Sequence, residues 1–328
     1  MKMRLFAGLV SAALTPFISP ACRSSDSIAP SRFWSTVSSG TTQNLNSVRG
    51  TSASDVWAVG DFGTTLHYDG TSWSSVPSGT LVLLLGVWGA SESDVWAVGQ
   101  GGWLLHYDGV SWSRVPSGTT ENLKSVWGTS ASDVWAVGDL GTTLHYDGTS
   151  WSSVSSPVTI GGLTVELRSV WGTSASNVWA VGALYHTSAS TFPPVILHYD
   201  GTSWSSVPGG TTGMAPLGGI WGSSASNIWA VGAGFYGPSI LHYDGTSWSS
   251  VSYAASVNLS GTWGTSASDV WSVGNEAGSG AILHYDGTSW SSVSSGTLGH
   301  LLGVWGTSAS DVWAVGDGGT ILHGSPAR

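Results

Sequence analysis

Apolar and polar positions along most of this chain fall into short runs with the spacing of strands, and the runs recur. In one copy Leu123-Lys124-Ser125-Val126-Trp127 predicts a first strand and Val134-Trp135-Ala136-Val137 a second. Thr142 to Tyr146 predicts a third and Ser150 to Val154 a fourth. Gly128 to Ser132 and Gly138 to Gly141 supply turns, and Asp147-Gly148 is a hairpin signal. The second strand is apolar at successive positions, so both of its faces need cover. Helical periodicity is absent after the first two dozen residues.

The second-strand core, Asp-Val-Trp-Ala-Val-Gly with small changes, starts at Asp55, Asp94, Asp133, Asn177, Asn227, Asp269 and Asp311. Self-similarity at this period marks a propeller or a solenoid. The two ends decide between them. The seventh copy stops at Thr320-Ile321-Leu322-His323 and never reaches its fourth strand, while Arg32-Phe33-Trp34-Ser35-Thr36-Val37 is a fourth strand with no predecessor. The surplus at one end fits the deficit at the other. The expected fold is therefore all-β: a seven-bladed β-propeller of four-stranded antiparallel blades, residues 32–323, closed by its N-terminal strand. Closure removes the edges that an open stack would expose, and a closed ring predicts a monomer. Residues 324–328 form a C-terminal tail.

Before the ring, residues 1–21 read as an export signal, with Lys2 and Arg4 ahead of an apolar run from Leu5 to Leu14 that is too short to span a bilayer. The single cysteine, Cys22, closes that signal. Its placement resembles the lipobox of bacterial lipoproteins, although Ser19 stands where that family prefers Leu. Lipidation of Cys22 is the expectation, with residues 22–31 as a tether; plain cleavage near Ala21 is the alternative. Arg23 after the cysteine implies, by the same resemblance, an outer-membrane or cell-surface lipoprotein. Otherwise the protein would be periplasmic or secreted. The lipid would be the sole membrane contact.

Composition narrows the function. The net charge of −10 argues against nucleic acid, whose phosphates need clustered Lys and Arg. Of the 21 Trp, all but Trp103 sit at repeating positions. One buried indole contributes roughly 4–6 kcal/mol gross, from ~150–250 Å² at ~25 cal/mol/Å², so tryptophan serves as packing first. The string Trp313 to His323, with Asp-Gly and Trp following in the other copies, resembles the BNR-like, Asp-box-related repeats of bacterial propellers. These belong with the WD40/YVTN/BNR-like and photosystem-assembly-factor-like proteins. A strict Asp-box separates Asp from Gly by one residue, whereas Asp69-Gly70 adjoin. The resemblance implies a propeller and leaves activity open.

Repeated chemistry is structural chemistry. One His per blade (His67, His106, His145, His198, His242, His284, His323) is spread round the ring and cannot converge on a metal. A blade-internal network of His, turn Asp, hydroxyl and Trp N–H is expected instead, and the Asp before each Val-Trp is expected to bond its local backbone. Non-repeated acids share no motif, and the few arginines (Arg32, Arg49, Arg114, Arg168) do not suit a sialidase. No enzyme activity and no cofactor are expected.

Variation points elsewhere. The second-to-third connections are long in blades four to six (Ala183 to Val195, Ala233 to Ser239, Asn275 to Ala281), as are the links at Ser155 to Glu166 and Pro208 to Pro216. All emerge on one side of the ring, making one face individual and the other monotonous, and variable loops on a rigid scaffold are where binding usually sits. The candidate ligand-binding residues are Tyr185, His186, Phe192, Phe235, Tyr236, Tyr253 and Glu276, with Lys124 and Arg168 at the channel. Met214 lies in the same loops. The innermost strand carries Asn46, Leu85, Lys124, Arg168, Gly218, Ser260 and Leu302 at one equivalent position. Lys124 and Arg168 would pair with a carboxylate- or sulfate-bearing sugar, or else neutralise acids such as Glu121 and Glu166. The expected function is a non-enzymatic extracytoplasmic binding module for a glycan or envelope protein. An envelope assembly or scaffold factor is the alternative, with glycoside hydrolase or lyase behind it.

Overall fold

A computed structural model describes residues 33–185, 193–209, 215–233, 239–253 and 255–325. The export signal, Cys22 and its tether lie outside these residues. Seven antiparallel sheets follow one another round a ring. Blade one is Leu45–Ser52, Asp55–Gly60, Thr65–Tyr68 and Trp73–Ser75, from the channel outward. Blade seven is Leu301–Ser308, Asp311–Gly316 and Ile321–Ser325, and its outermost strand is Phe33–Val37 from the other end of the chain. That strand pairs Trp34 with Gly324 and Val37 with Ile321. The split blade inferred from the two chain ends is therefore how the ring closes.

The second strands Asp55–Gly60 and Asp133–Gly138 are buried at every position. Each lies between two strands of its own sheet and has a neighbouring blade on each face, which is why its sequence does not alternate. Tryptophan bridges the blades. Trp57 stacks on His67 of its own blade at 4.5 Å and meets Trp112 of the next edge-on at 5.3 Å. The same edge-on contact joins Trp135 to Trp204 and Trp313 to Trp73. At the closure, Trp34 supplies it to Trp271 at 5.6 Å.

The histidine network is present, but its carboxylate is a different one from that expected. Asp55 Oδ1 accepts from His67 Nε2 at 2.8 Å and from Trp57 Nε1 at 3.1 Å, while the Thr51 hydroxyl donates to its other oxygen. So the Asp before Val-Trp holds the blade together, and it does not merely shape a turn. The Asp of Asp-Gly instead caps its own turn: Asp69 Oδ1 accepts the amides of Thr71 and Ser72 at 2.8 and 2.9 Å.

Two expected loops are extended sheet. In blade six, strands Asp269–Glu276 and Ser279–Tyr285 continue to a two-residue turn at Ala277-Gly278, with φ of 49° and 84°. Both central residues at positive φ are what a tight hairpin requires. In blade four the innermost strand runs Leu163–Ser174, and a short strand Thr159–Ile160 folds back on it through Gly161-Gly162.

Candidate functional site

Each innermost strand carries a β-bulge at an equivalent place in the repeat, for example between Leu123 and Ser125 and between Leu167 and Ser169. A bulge inserts one unpaired residue and re-aims its side chain. The inserted residues are Asn46, Leu85, Lys124, Arg168, Gly218, Ser260 and Leu302, and all line a central channel cavity of about 150 Å³. Alignment of the repeats singles out this position, and the bulge is the physical reason that it faces the channel.

Lys124 and Arg168 meet there, and both are already paired. Lys124 Nζ lies 3.3 Å from Asp139 and 3.7 Å from Glu166. Arg168 Nε donates to Glu166 at 3.0 Å, and its Nη2 donates to the Tyr185 hydroxyl. Asn122 Nδ2 fixes Asp139 at 2.7 Å. Two cations and two carboxylates thus form a neutral chain across blades three and four. The acid facing Lys124 is Asp139 rather than Glu121. Burial pushes the Tyr185 phenol up, Arg168 working against it and Glu166 with it.

Of the other candidates, Tyr253 and Glu276 lie together away from this chain. Tyr253 packs on the core, and burial raises its phenol, with the Glu276 charge adding to the effect. Glu276 lines a separate hollow with Leu298. His186, Phe192, Phe235, Tyr236 and Met214 lie outside the described residues.

The individual face holds a feature that the loop lengths did not flag. Three second-to-third connections read Asp61-Phe62-Gly63, Asp139-Leu140-Gly141 and Asp317-Gly318-Gly319, and the fourth Gln100-Gly101-Gly102. The middle residue is left-handed in all four, with φ of 53°, 66°, 53° and 62° in chain order. Glycine takes that conformation freely; a bulky side chain there is strained. Phe62 and Leu140 are nevertheless 66% and 50% exposed, with Leu81 79% exposed beside Phe62 across an open hollow. Neighbours impose the loop geometry. Asp61 accepts from Asn44 at 2.9 Å and Asn46 at 3.0 Å, and the Gly63 amide donates to Val82 O at 2.8 Å. The last bond and that from Ser78 Oγ to Gly63 O at 2.6 Å tie the two variable connections together on one face. The signal was present in the sequence, as a large residue where other copies have Gly.

Among the described residues no cluster of His, Cys, Asp and Glu is arranged to hold a metal, and no helix is long and apolar enough to cross a membrane. Five of the seven histidines hydrogen-bond to a carboxylate of their own blade at 2.7–2.8 Å. His198 donates to Asn177 at 2.8 Å instead, and in blade five His242 Nε2 and Asn227 Oδ1 are buried without a partner. Burial holds both His198 and His242 below the usual imidazole range.

No protein-family model matches this sequence, and no curated protein is similar to it. Solved structures are similar in fold. YCF48 bound to D1 peptide shares 18% identity at a TM-score of 0.68, over 88% of this chain and 96% of that one. Virginiamycin B lyase from Staphylococcus aureus shares 10% at 0.72, over 90% and 99%. The WD40 propeller domain of Doa1 shares 13% at 0.69, over 92% and 98%. The likeness is one of fold. It shows a seven-bladed propeller fold, which these three proteins share.

Proposed function

We propose that this chain is a non-enzymatic binding module that docks a protein partner on its individual face, outside the cytoplasm. The observation that carries it is the pair Phe62 and Leu140, apolar side chains held exposed on a strained backbone where the repeat's own solution is glycine. Strain of that kind persists where the surroundings over-determine it, and it gathers at functional positions. Leu81, Val158 and Leu298 add exposed apolar groups to the same face. A polypeptide suits this surface better than a glycan. Sugar rings stack on open aromatic faces, and Phe62 is the one aromatic among the exposed apolar groups described on this face; Leu81, Leu140, Val158 and Leu298 are aliphatic, and the described loop tyrosines are partly buried and engaged with Arg168 or the core. A propeller of the same architecture, YCF48, is bound to a peptide, which supports this choice. Catalysis is disfavoured because six of the seven recurring histidines are used in blade-internal bonds and the seventh, His242, has its Nε2 buried in its blade. Export through residues 1–21 and a lipid on Cys22 would present the module at the envelope.

Photo-crosslinking tests the docking face. A photoreactive residue at Leu81 or Phe62 should capture a discrete polypeptide from envelope extract, and one at Val110 on the repeated face should not. Equal capture from both faces, or capture abolished by free glycan, would sink the protein-docking assignment. An assembly-factor role is the same proposal with a transient partner, distinguished by capture only during synthesis of that partner.

A further inference from the structure

Six innermost strands read Val-Trp-Gly or Ile-Trp-Gly, or Thr262-Trp263-Gly264, and the first reads Val48-Arg49-Gly50. The six tryptophans have one job. Each ring covers the equivalent glycine of the next blade: Trp88 covers Gly128, Trp127 Gly172, Trp171 Gly222, Trp221 Gly264, Trp263 Gly306, and Trp305 Gly50. A Cβ on any of these glycines would come within 2.5–2.9 Å of the ring. The seventh glycine, Gly89, should lie under residue 49. Its nearest neighbours are instead Val95, Thr51 and Asp94. Arg49 does not fill the slot.

The apolar core breaks at the same seam. Trp57, Val59, Leu84, Val87 and Trp112 form a cluster of their own between blades one and two, separate from the core that runs round the other blades. Arg49 instead lines the central channel, in the same cavity as Trp127 and Trp171. The other described cations all have partners: Lys124 and Arg168 their acids, and Arg114 the ring of Trp103 at 4.1 Å. Among the described residues nothing pairs with Arg49. Burial alone pulls its guanidinium down to about 10, so it is still charged at neutral pH. A charge kept in a channel wall without a counter-ion is costly, and a Trp-for-Arg exchange at one of seven equivalent positions gives up packing as well.

We infer that Arg49 anchors an anion site inside the central channel and that the site takes a carboxylate. Guanidinium presents a planar fork that matches a carboxylate in two parallel bonds. The cavity of about 150 Å³ has room for a carboxylate with a short apolar tail against Trp127 and Trp171. Asp61, Asp139 and Glu166 stand beside the bulge residues at the individual end of the channel, so a monoanion enters at lower electrostatic cost than a phosphate dianion. This site does not depend on the docking face, because changes at Arg49 leave Phe62, Leu81 and Leu140 in place.

Thermal shift and calorimetry with sodium propionate, against sodium chloride at equal ionic strength, read the site directly. The wild type should show a saturable shift. Arg49→Trp, which restores the repeat and covers Gly89, should fold and melt at least as high as the wild type yet show no saturable shift. Sodium phosphate and a pair of short peptides with free or amidated C-termini form the remaining arms. Binding of the free peptide but not the amidated one assigns the carboxylate to a chain end, and propionate alone assigns it to a small acid; both uphold the site. No saturable response to propionate or to the free peptide overturns it. So does an equal response in Arg49→Trp, or a response to phosphate in place of carboxylate.

Discussion

Replacing Phe62 and Leu140 together by glycine should stabilise this protein while weakening its partner binding. Both residues sit at φ 53°, where a non-glycine residue costs about 1–2 kcal/mol. Glycine removes that cost and brings back about 0.5–1 kcal/mol of unfolded-state entropy. The side chains are 66% and 50% exposed, so their removal gives up little burial. The net gain is about 0.5 kcal/mol per site, or about 1 kcal/mol for the pair, which adds because the loops are in different blades. For a ring of this size that is a rise of about 2 °C in Tm, at the low end of the range for large domains. Blades two and seven, with Gly101 and Gly318 at the same position, are internal precedents for the variant loop. Differential scanning calorimetry of the double variant, beside Phe62→Ala and Leu140→Ala, reads the effect; the alanines keep the strain and should not gain. A fall in Tm of more than a degree or two would mean that the two side chains pack in the fold, and the case for an exposed docking surface would fail.

Deleting residues 32–38 should leave Ile321–Ser325 as a bare edge and take away Trp34, the edge-on partner of Trp271; a broadened, lower melt or new oligomers by light scattering are expected, and an unchanged monomeric melt would refute closure by this strand. Acid should act in two stages. His198 and His242 are held below the usual imidazole value, so their share of stability is complete above about pH 6.5 and is lost as pH falls below it. Burial pushes the Asp55 carboxyl up, but hydrogen bonds from His67, Thr51 and Trp57 together hold it below the usual range, and Asp311 behaves likewise, so that share is present above about pH 3.8 and fails only as pH falls further. Asn177→Asp with Asn227→Asp gives both histidines a carboxylate and should remove the first stage; an unchanged melt profile between about pH 7 and pH 5 would contradict this assignment. Cys22→Ser in the native host should move the protein from membrane to soluble fractions, and unchanged fractionation would leave simple secretion.

The ring was legible because a repeat reports its architecture through period and ends, and the split fourth strand specified closure without any contact information. The channel-facing position was legible for a related reason. Asn46, Lys124 and Arg168 vary at one place in otherwise constant strands, which is how a bulge residue relieved of packing behaves. The ion pairs there were only half legible. Glu166 adjoins Arg168 along the strand, but Asp139 reaches Lys124 from the end of the second strand, and only the sheet's pairing brings them together. The loops of blades four and six were misjudged because a length difference does not distinguish an insertion from a lengthened hairpin. Ala277-Gly278 lacks the Asn-Gly or Asp-Gly pair that announces such a turn. Phe62, Leu140 and Arg49 were each visible as a break in a repeat column, yet loop length drew attention to blades four to six instead.

In a sevenfold molecule each position is tried several times, so a departure can be judged by what its equivalents do with the same surroundings. Val110 departs too, replacing the Thr of an Asp-Gly-Thr-Ser turn and standing 84% exposed. It keeps an ordinary negative φ, and Asp108 still caps the turn through the Val110 and Ser111 amides at 2.9 and 2.8 Å. Nothing structural is given up there, and a single exposed valine on a surface asks for no explanation. Phe62 and Leu140 give up backbone comfort that glycine would restore, and Arg49 gives up a ring contact that six other blades keep. Cost to the fold without a structural return, rather than exposure or variability alone, is what separates these three from the rest; Ala277 also stands at positive φ, but there the two-residue hairpin turn requires it. That cost is the reason for proposing the docking face at blades one to three and the anion site in the channel at blade one, where the sequence spends stability that the repeat shows how to keep.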